Sequence, residues 1–143
     1  VENGADRTAR WEMMMASLMG GMCLQKALGG AHAMATPLGE LHLHHGTLIG
    51  ILLPHILRFH EGTADEKYAR LRQAMGLKPG ADLGDAIAEL NADIGIPATL
   101  SAIGLSADDA PGVVEYALKD LAHFGNPKPM SADDYAKVYE AAL

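Results

Sequence analysis

The chain holds a single cysteine, Cys23, which excludes an intrachain disulfide and any cysteine-rich zinc site and makes a reducing compartment, the cytoplasm, the expected setting. Basic residues are few: 11 Lys and Arg stand against 18 Asp and Glu, a formal net charge of −7. Such a surface repels a phosphate backbone, so nucleic acid is not an expected partner. No hydrophobic run is long. The most apolar stretch, from Thr47 to Phe59, is broken by Pro54 and His55 and is too short to cross a bilayer, so no membrane partner is expected either. Val1 to Asp6 has neither the basic start nor the apolar core of a signal peptide and reads as a loop inside a longer protein. Internal repeats and alternating strand patterns are also missing. With the strands goes the strand, glycine-rich turn and helix unit that cradles a dinucleotide pyrophosphate.

What remains is helical. At 143 residues, 49% hydrophobic and 20% charged, the chain is long and apolar enough for one globular domain with a real core. Apolar residues recur at helical intervals almost throughout, which predicts an all-α bundle of about seven helices. Trp11, Met14, Met15, Leu18, Met22 and Leu28 predict one long, buried helix from about Asp6 to Leu28, with Gly20-Gly21 and Gly29-Gly30 allowing close backbone approach. Thr36-Pro37 has the form of an N-cap and first-turn proline, so a short helix is expected to start there. A turn around His42 to Gly46 leads into the segment from Thr47 to Phe59, whose all-round hydrophobicity marks the central core helix. Thr63/Glu66, Ser106/Asp109 and Ser131/Asp134 fit the capping-box spacing. With the intervening Pro and Gly turns they place helices near 64–75, 83–94, 107–122 and 132–142.

Seven histidines occur, and five of them, His32, His42, His44, His45 and His55, crowd into two dozen residues. Imidazole is the commonest protein ligand for divalent iron and zinc, and two histidines on adjoining helices can converge on one ion without any cysteine. His32 follows the end of the first helical segment and His45 precedes the apolar one, so both rings are expected to face one cleft. Two ligands make an incomplete site. A histidine at a helix end also serves as a cap or a satisfied core group; His55 and His60 are read as structural or surface groups, and Met13, Met14, Met15, Met19 and Met22 as adaptable core filling.

The residues from Cys23 to Gly39 (CLQKALGGAHAMATPLG), then His44-His45-Gly46-Thr47-Leu48, then Leu52 to Phe59 (LLPHILRF), together with the segments Leu90 to Pro97 (LNADIGIP) and Asn126-Pro127-Lys128-Pro129, resemble iron-containing (group III) alcohol dehydrogenases over nearly the whole chain. The resemblance implies the dehydroquinate synthase-like fold of that family's C-terminal helical domain, residues 1–143, without the N-terminal nucleotide-binding domain. It implies a divalent ion, Fe2+ with Zn2+ as the alternative, held by an aspartate and three histidines beside a bound NAD(P). Carried over by position, His32 and His45 are two of those metal ligands. The aspartate and remaining histidine, and most of the NAD(P) site, fall upstream of Val1. Thr36 stands where many members carry a second histidine that helps relay a proton, and Leu24 where relatives often carry a phenylalanine; both are expected at the substrate pocket. The interval from His32 to His45 is one residue shorter than in many relatives.

On this reading the chain is part of an NAD(P)-dependent, metal-dependent alcohol dehydrogenase or aldehyde reductase acting on a small alcohol or aldehyde, and inactive alone. The alternative is a non-catalytic helical module that binds metal or docks onto a separate nucleotide-binding subunit. Either way an apolar face is expected to drive self-association or docking. A third reading has the histidines touching no metal.

Overall fold

Asp6 opens the first helix because its carboxylate accepts the amide protons of Thr8 at 2.9 Å and Ala9 at 3.0 Å, groups that the first turn of a helix leaves without partners. In the computed structural model, residues 3–143 are described; Val1 and Glu2, the start of the expected N-terminal loop, lie outside them. Seven α-helices follow in order: α1 (Arg7–Met22), α2 (Gly30–Gly39), α3 (His45–Phe59), α4 (Asp65–Ala74), α5 (Leu83–Asp93), α6 (Ala110–Ala117) and α7 (Ala132–Ala142). Short 3-10 turns lie between α1 and α2, α5 and α6, and α6 and α7, and no strand occurs among the described residues. The all-α class and the number of helices agree with the apolar spacing, and no described helix is long and apolar enough to cross a membrane.

The core lies where α2, α3, α6 and α7 meet, with α5 packed on α3. Met34 and Leu38 of α2, Leu48, Ile51 and Leu52 of α3, and Tyr135 and Tyr139 of α7 are all fully buried there. Burial of such side chains stabilises by about 1.5–3 kcal/mol each. Helix α3 is the central element that its hydrophobicity predicts, and it contains Pro54. A proline inside a helix has no amide proton for the carbonyl four residues earlier. That carbonyl is Gly50, and Asn91 of α5 supplies the missing donor, its Nδ2 bonding Gly50 O at 2.7 Å. The same two helices close up at Gly84, where a Cβ would lie 2.7 Å from the Pro54 carbonyl oxygen.

Several local expectations are corrected. The helix expected from Asp6 to Leu28 ends at Met22, and none of its residues is buried: Trp11 is 57% and Met14 71% exposed. Nothing lies within 4 Å of a Cβ built on Gly20 or Gly21, so the close approach expected there is absent, whereas at Gly30 it is real. Thr36-Pro37 starts no helix; both sit inside α2, and the Thr36 hydroxyl donates to the His32 carbonyl at 2.8 Å. The turn after α2 comes early, at Glu40 to His42, and α3 already begins at His45 because His44 Nδ1 caps it by accepting the Thr47 amide proton at 3.3 Å. Thr63 forms no capping box. Its hydroxyl donates to the His60 carbonyl and α4 starts from Ala64 without a side-chain cap. Ser106/Asp109 and Ser131/Asp134 do form boxes. The helix expected over 107–122 is split into a 3-10 turn, α6 and a second 3-10 segment, Leu121–Gly125, which Asp120 caps through the Ala122 amide at 2.7 Å.

Asn91→Ala is expected to lower stability by about 1–3 kcal/mol, since it leaves the Gly50 carbonyl unpaired. In a Pro54→Ala background the same change is expected to cost less than about 1 kcal/mol, because the restored amide meets that carbonyl. Urea denaturation of the four proteins of the cycle measures both.

Candidate metal centre

His32 belongs to the first turn of α2 and His45 is the first residue of α3. The two imidazoles meet: the ring centres are 5.3 Å apart, tilted by 52°. Two imidazoles each bound through one nitrogen at about 2.0–2.1 Å to a tetrahedral ion have ring centres roughly 5 Å apart. The pair therefore has the spacing of two nitrogen donors that could share one divalent ion. No group of three or more His, Cys, Asp or Glu side chains able to hold a metal exists among the described residues.

The two rings open onto a cleft of about 450 Å³ whose walls include Leu24, Ala27, Leu28, Leu121 and Ala122, with Thr36 and Asp120 as polar members. Leu24 and Thr36 line the same cleft as the two histidines. Burial first, and then the neighbouring His45, hold the His32 imidazole below its ordinary value, while the Asp120 carboxylate and the Leu28 carbonyl act in the opposite direction. A ring kept neutral by its surroundings retains the lone pair that a metal requires. Asp120 was not singled out from the sequence, because it lies inside the segment read as one continuous helix; its position before Leu121-Ala122 as a possible cap was the available signal.

The other histidines go elsewhere. His44 is exposed and caps α3, and His42 is exposed in the turn with φ of 62°. His55 lines a separate cavity with Pro54, Arg58 and Asn91. His60 is 3% exposed and belongs to a polar junction behind the cleft that the sequence reading missed. There the Asn126 side-chain oxygen accepts the Gly30 amide proton at 2.7 Å and faces His60 Nε2 at 3.2 Å. The Asn126 amide nitrogen donates to the His123 carbonyl at 2.8 Å and to the Tyr135 hydroxyl at 3.2 Å. That hydroxyl lies 3.0 Å from His123 Nδ1.

The family model described as "Fe-containing alcohol dehydrogenase family, C-terminal" matches residues 1–143. The chain belongs to the iron-containing alcohol dehydrogenase family. Among members of that family it is 40% identical to the 4-hydroxybutyrate dehydrogenase of Cupriavidus necator, aligned over 99% of this chain and 40% of that protein. It is 38% identical to the 1,3-propanediol dehydrogenase of Citrobacter freundii, over 98% of this chain and 39% of that one. The solved alcohol dehydrogenase from Oenococcus oeni superposes with a TM-score of 0.89 at 32% identity, covering 99% of this chain and 39% of that structure. The chain thus spans about two-fifths of the length of these relatives, and its fold is that of the C-terminal helical part of the iron-containing alcohol dehydrogenases.

Three histidines titrate below the ordinary value of 6.5: His32; His55, through burial and then Arg58; and His60, through burial, against which the bond to Asn126 acts, with Lys128 adding to the lowering. The unfolded chain then takes up protons near pH 6.5 that the folded chain refuses. Stability is full above that value and is lost as pH falls from it towards the depressed folded values. The urea midpoint is expected to drop between about pH 7.5 and about pH 5.5, and His60→Gln is expected to flatten that drop.

Proposed function

We propose that this chain is the metal-holding C-terminal part of an NAD(P)-dependent alcohol dehydrogenase or aldehyde reductase, with His32 and His45 as two ligands of a divalent ion. The observation that carries this reading is the meeting of the two rings, 5.3 Å apart, at the mouth of an apolar cleft. Iron follows the family's name, and zinc suits the same nitrogen donors. A divalent ion held there supplies a Lewis acid that polarises the oxygen of an alcohol or aldehyde. The chain's own residues do the rest of the shaping. His32 and His45 give one neutral nitrogen each. Leu24, Leu28 and Leu121 wall the cleft with apolar surface suited to the carbon chain of a small alcohol. The proton of the Thr36 hydroxyl already serves the His32 carbonyl, so Thr36 shapes the pocket and relays no proton. The remaining aspartate and histidine ligands, and the glycine-rich site for NAD(P), belong on this reading to the larger share of the protein that its relatives contain and this chain does not span.

The exposed stripe of α1, formed by Trp11, Met14, Leu18 and Met22 at 57%, 71%, 57% and 73% exposure, is the surface we assign to docking of that remainder. Residues at this spacing form one helix face, and an apolar face of this kind seeks cover. The 143-residue chain alone is therefore expected to self-associate through α1, and Leu18→Glu to reduce the association. Sedimentation velocity tests this, and a monomer at about 100 µM overturns it.

The metal reading is tested by titrating the chelator-free chain with Co2+ or Zn2+. One ion per chain is expected, with His32→Ala and His45→Ala each weakening binding roughly tenfold or more. His55→Ala, in a separate cavity, is expected to leave it unchanged. Equal binding by wild type and both cleft variants would sink the assignment.

A further inference from the structure

Asn126 opens the Asn-Pro-Lys-Pro segment, a motif to which the metal reading gives no task. All four of its side-chain hydrogen-bonding positions are used. Gly30 N–H can only donate, so the atom it faces is the amide oxygen; the His123 carbonyl can only accept, so the atom facing it is the amide nitrogen. The amide orientation is thereby fixed. His60 must then present Nε2–H to the oxygen, and the Tyr135 hydroxyl receives one amide proton and lies 3.0 Å from His123 Nδ1. Asp in this place lacks both donors, and Ala lacks every one of these groups.

The partners on the oxygen side matter most. Gly30 is the first residue of α2, two positions before His32, and His60 directly follows the end of α3, the helix that His45 begins. A rigid helix is set against its neighbour by its two ends. One end of α2 is tied to α3 by the short turn from Glu40 to His44, and the other by this amide. The approach is tight: a Cβ on Gly30 would lie 2.8 Å from Ile56 Cδ1 and 2.8 Å from Met130 Sδ. The neighbouring Gly29 N–H is held by the Ala122 carbonyl at 3.0 Å, so the Leu121–Gly125 segment and Asn126 grip the start of α2 together.

We infer that Asn126 is a positioning residue for the metal centre: by joining the first turn of α2 to the end of α3 it sets the separation of His32 and His45. The inference rests on the metal reading above. Groups that orient metal ligands typically account for about 10- to 100-fold in metal affinity, so Asn126→Ala is expected to weaken Co2+ binding by about that factor at equal folded fraction. Asn126→Asp keeps the acceptor for Gly30 and His60 and is expected to bind Co2+ within about threefold of wild type while melting at lower temperature. Tyr135→Phe loosens the opposite side of the same junction without touching Gly30 or His60, and is expected to leave affinity unchanged.

The experiment is a Co2+ titration of the whole chain and these variants, followed by the visible absorption of the bound ion, with thermal melts alongside. Asn126→Ser, too short to reach Gly30 and His60 together, replaces the alanine variant should that one not fold, with the same expected loss. Weakened binding by the alanine or serine variant, with binding kept in Asn126→Asp and Tyr135→Phe, supports the inference. Undiminished binding by Asn126→Ala, or a loss that tracks melting temperature across all the variants, overturns it while leaving the metal reading intact. A wild-type chain that takes no Co2+ overturns both.

Discussion

The start of α2 has no room for a side chain at Gly30, where a Cβ would meet the ends of the Ile56 and Met130 side chains. The rest of α2 supports the contact with Ala31, Ala33 and Ala35, small residues that bury without pushing the helices apart. Asn126 also faces Gly30 there, and His32 stands two residues further along the same helix. A rotamer alone would not bring two imidazoles from different helices to one point; the backbones must already be fixed.

The molecule is unevenly finished. On one side α2, α3, α5, α6 and α7 share buried apolar surface, and the carbonyl that Pro54 leaves open is answered by Asn91. On the other, α1 carries an apolar stripe with nothing from the described residues against it. The cleft lies at the seam between these sides, walled by Leu24 and Leu28 from the segment that follows α1 and by Leu121 and Ala122 from the segment before Asn126. A site at such a seam is completed by whatever covers the bare side, which suits a domain that shares its chemistry with another part of a larger protein.

Much of this architecture was legible in the residues because it is local. The Ser131/Asp134 box needs only four consecutive residues to form, and the apolar run before Phe59 could only be a buried helix. The errors were local patterns overruled by distant contacts or by their lack. Thr36-Pro37 reads as a helix start, but α2 had already begun at Gly30, where Asn126, 96 residues away in sequence, captures the first amide. The α1 pattern reads as buried because periodicity records which face is apolar and is silent on what covers it. His32 and His45 were readable as a pair through their family resemblance, whereas Asp120 was hidden in a segment read as one helix, and the partners of Asn126, from Gly30 to Tyr135, lie too far away in sequence to be read.

The order of residues therefore settles the class, the number of helices, most of their starts and the presence of two nitrogen donors, since capping, proline placement and apolar spacing act within one or two turns of chain. Tertiary structure alone decides that those donors face each other, that His60 and not His44 is buried, and that one amide bonds Gly30, His60, His123 and Tyr135 together. Each of these requires groups far apart in the chain to come within hydrogen-bonding distance, and such proximity exists only once the helices have packed.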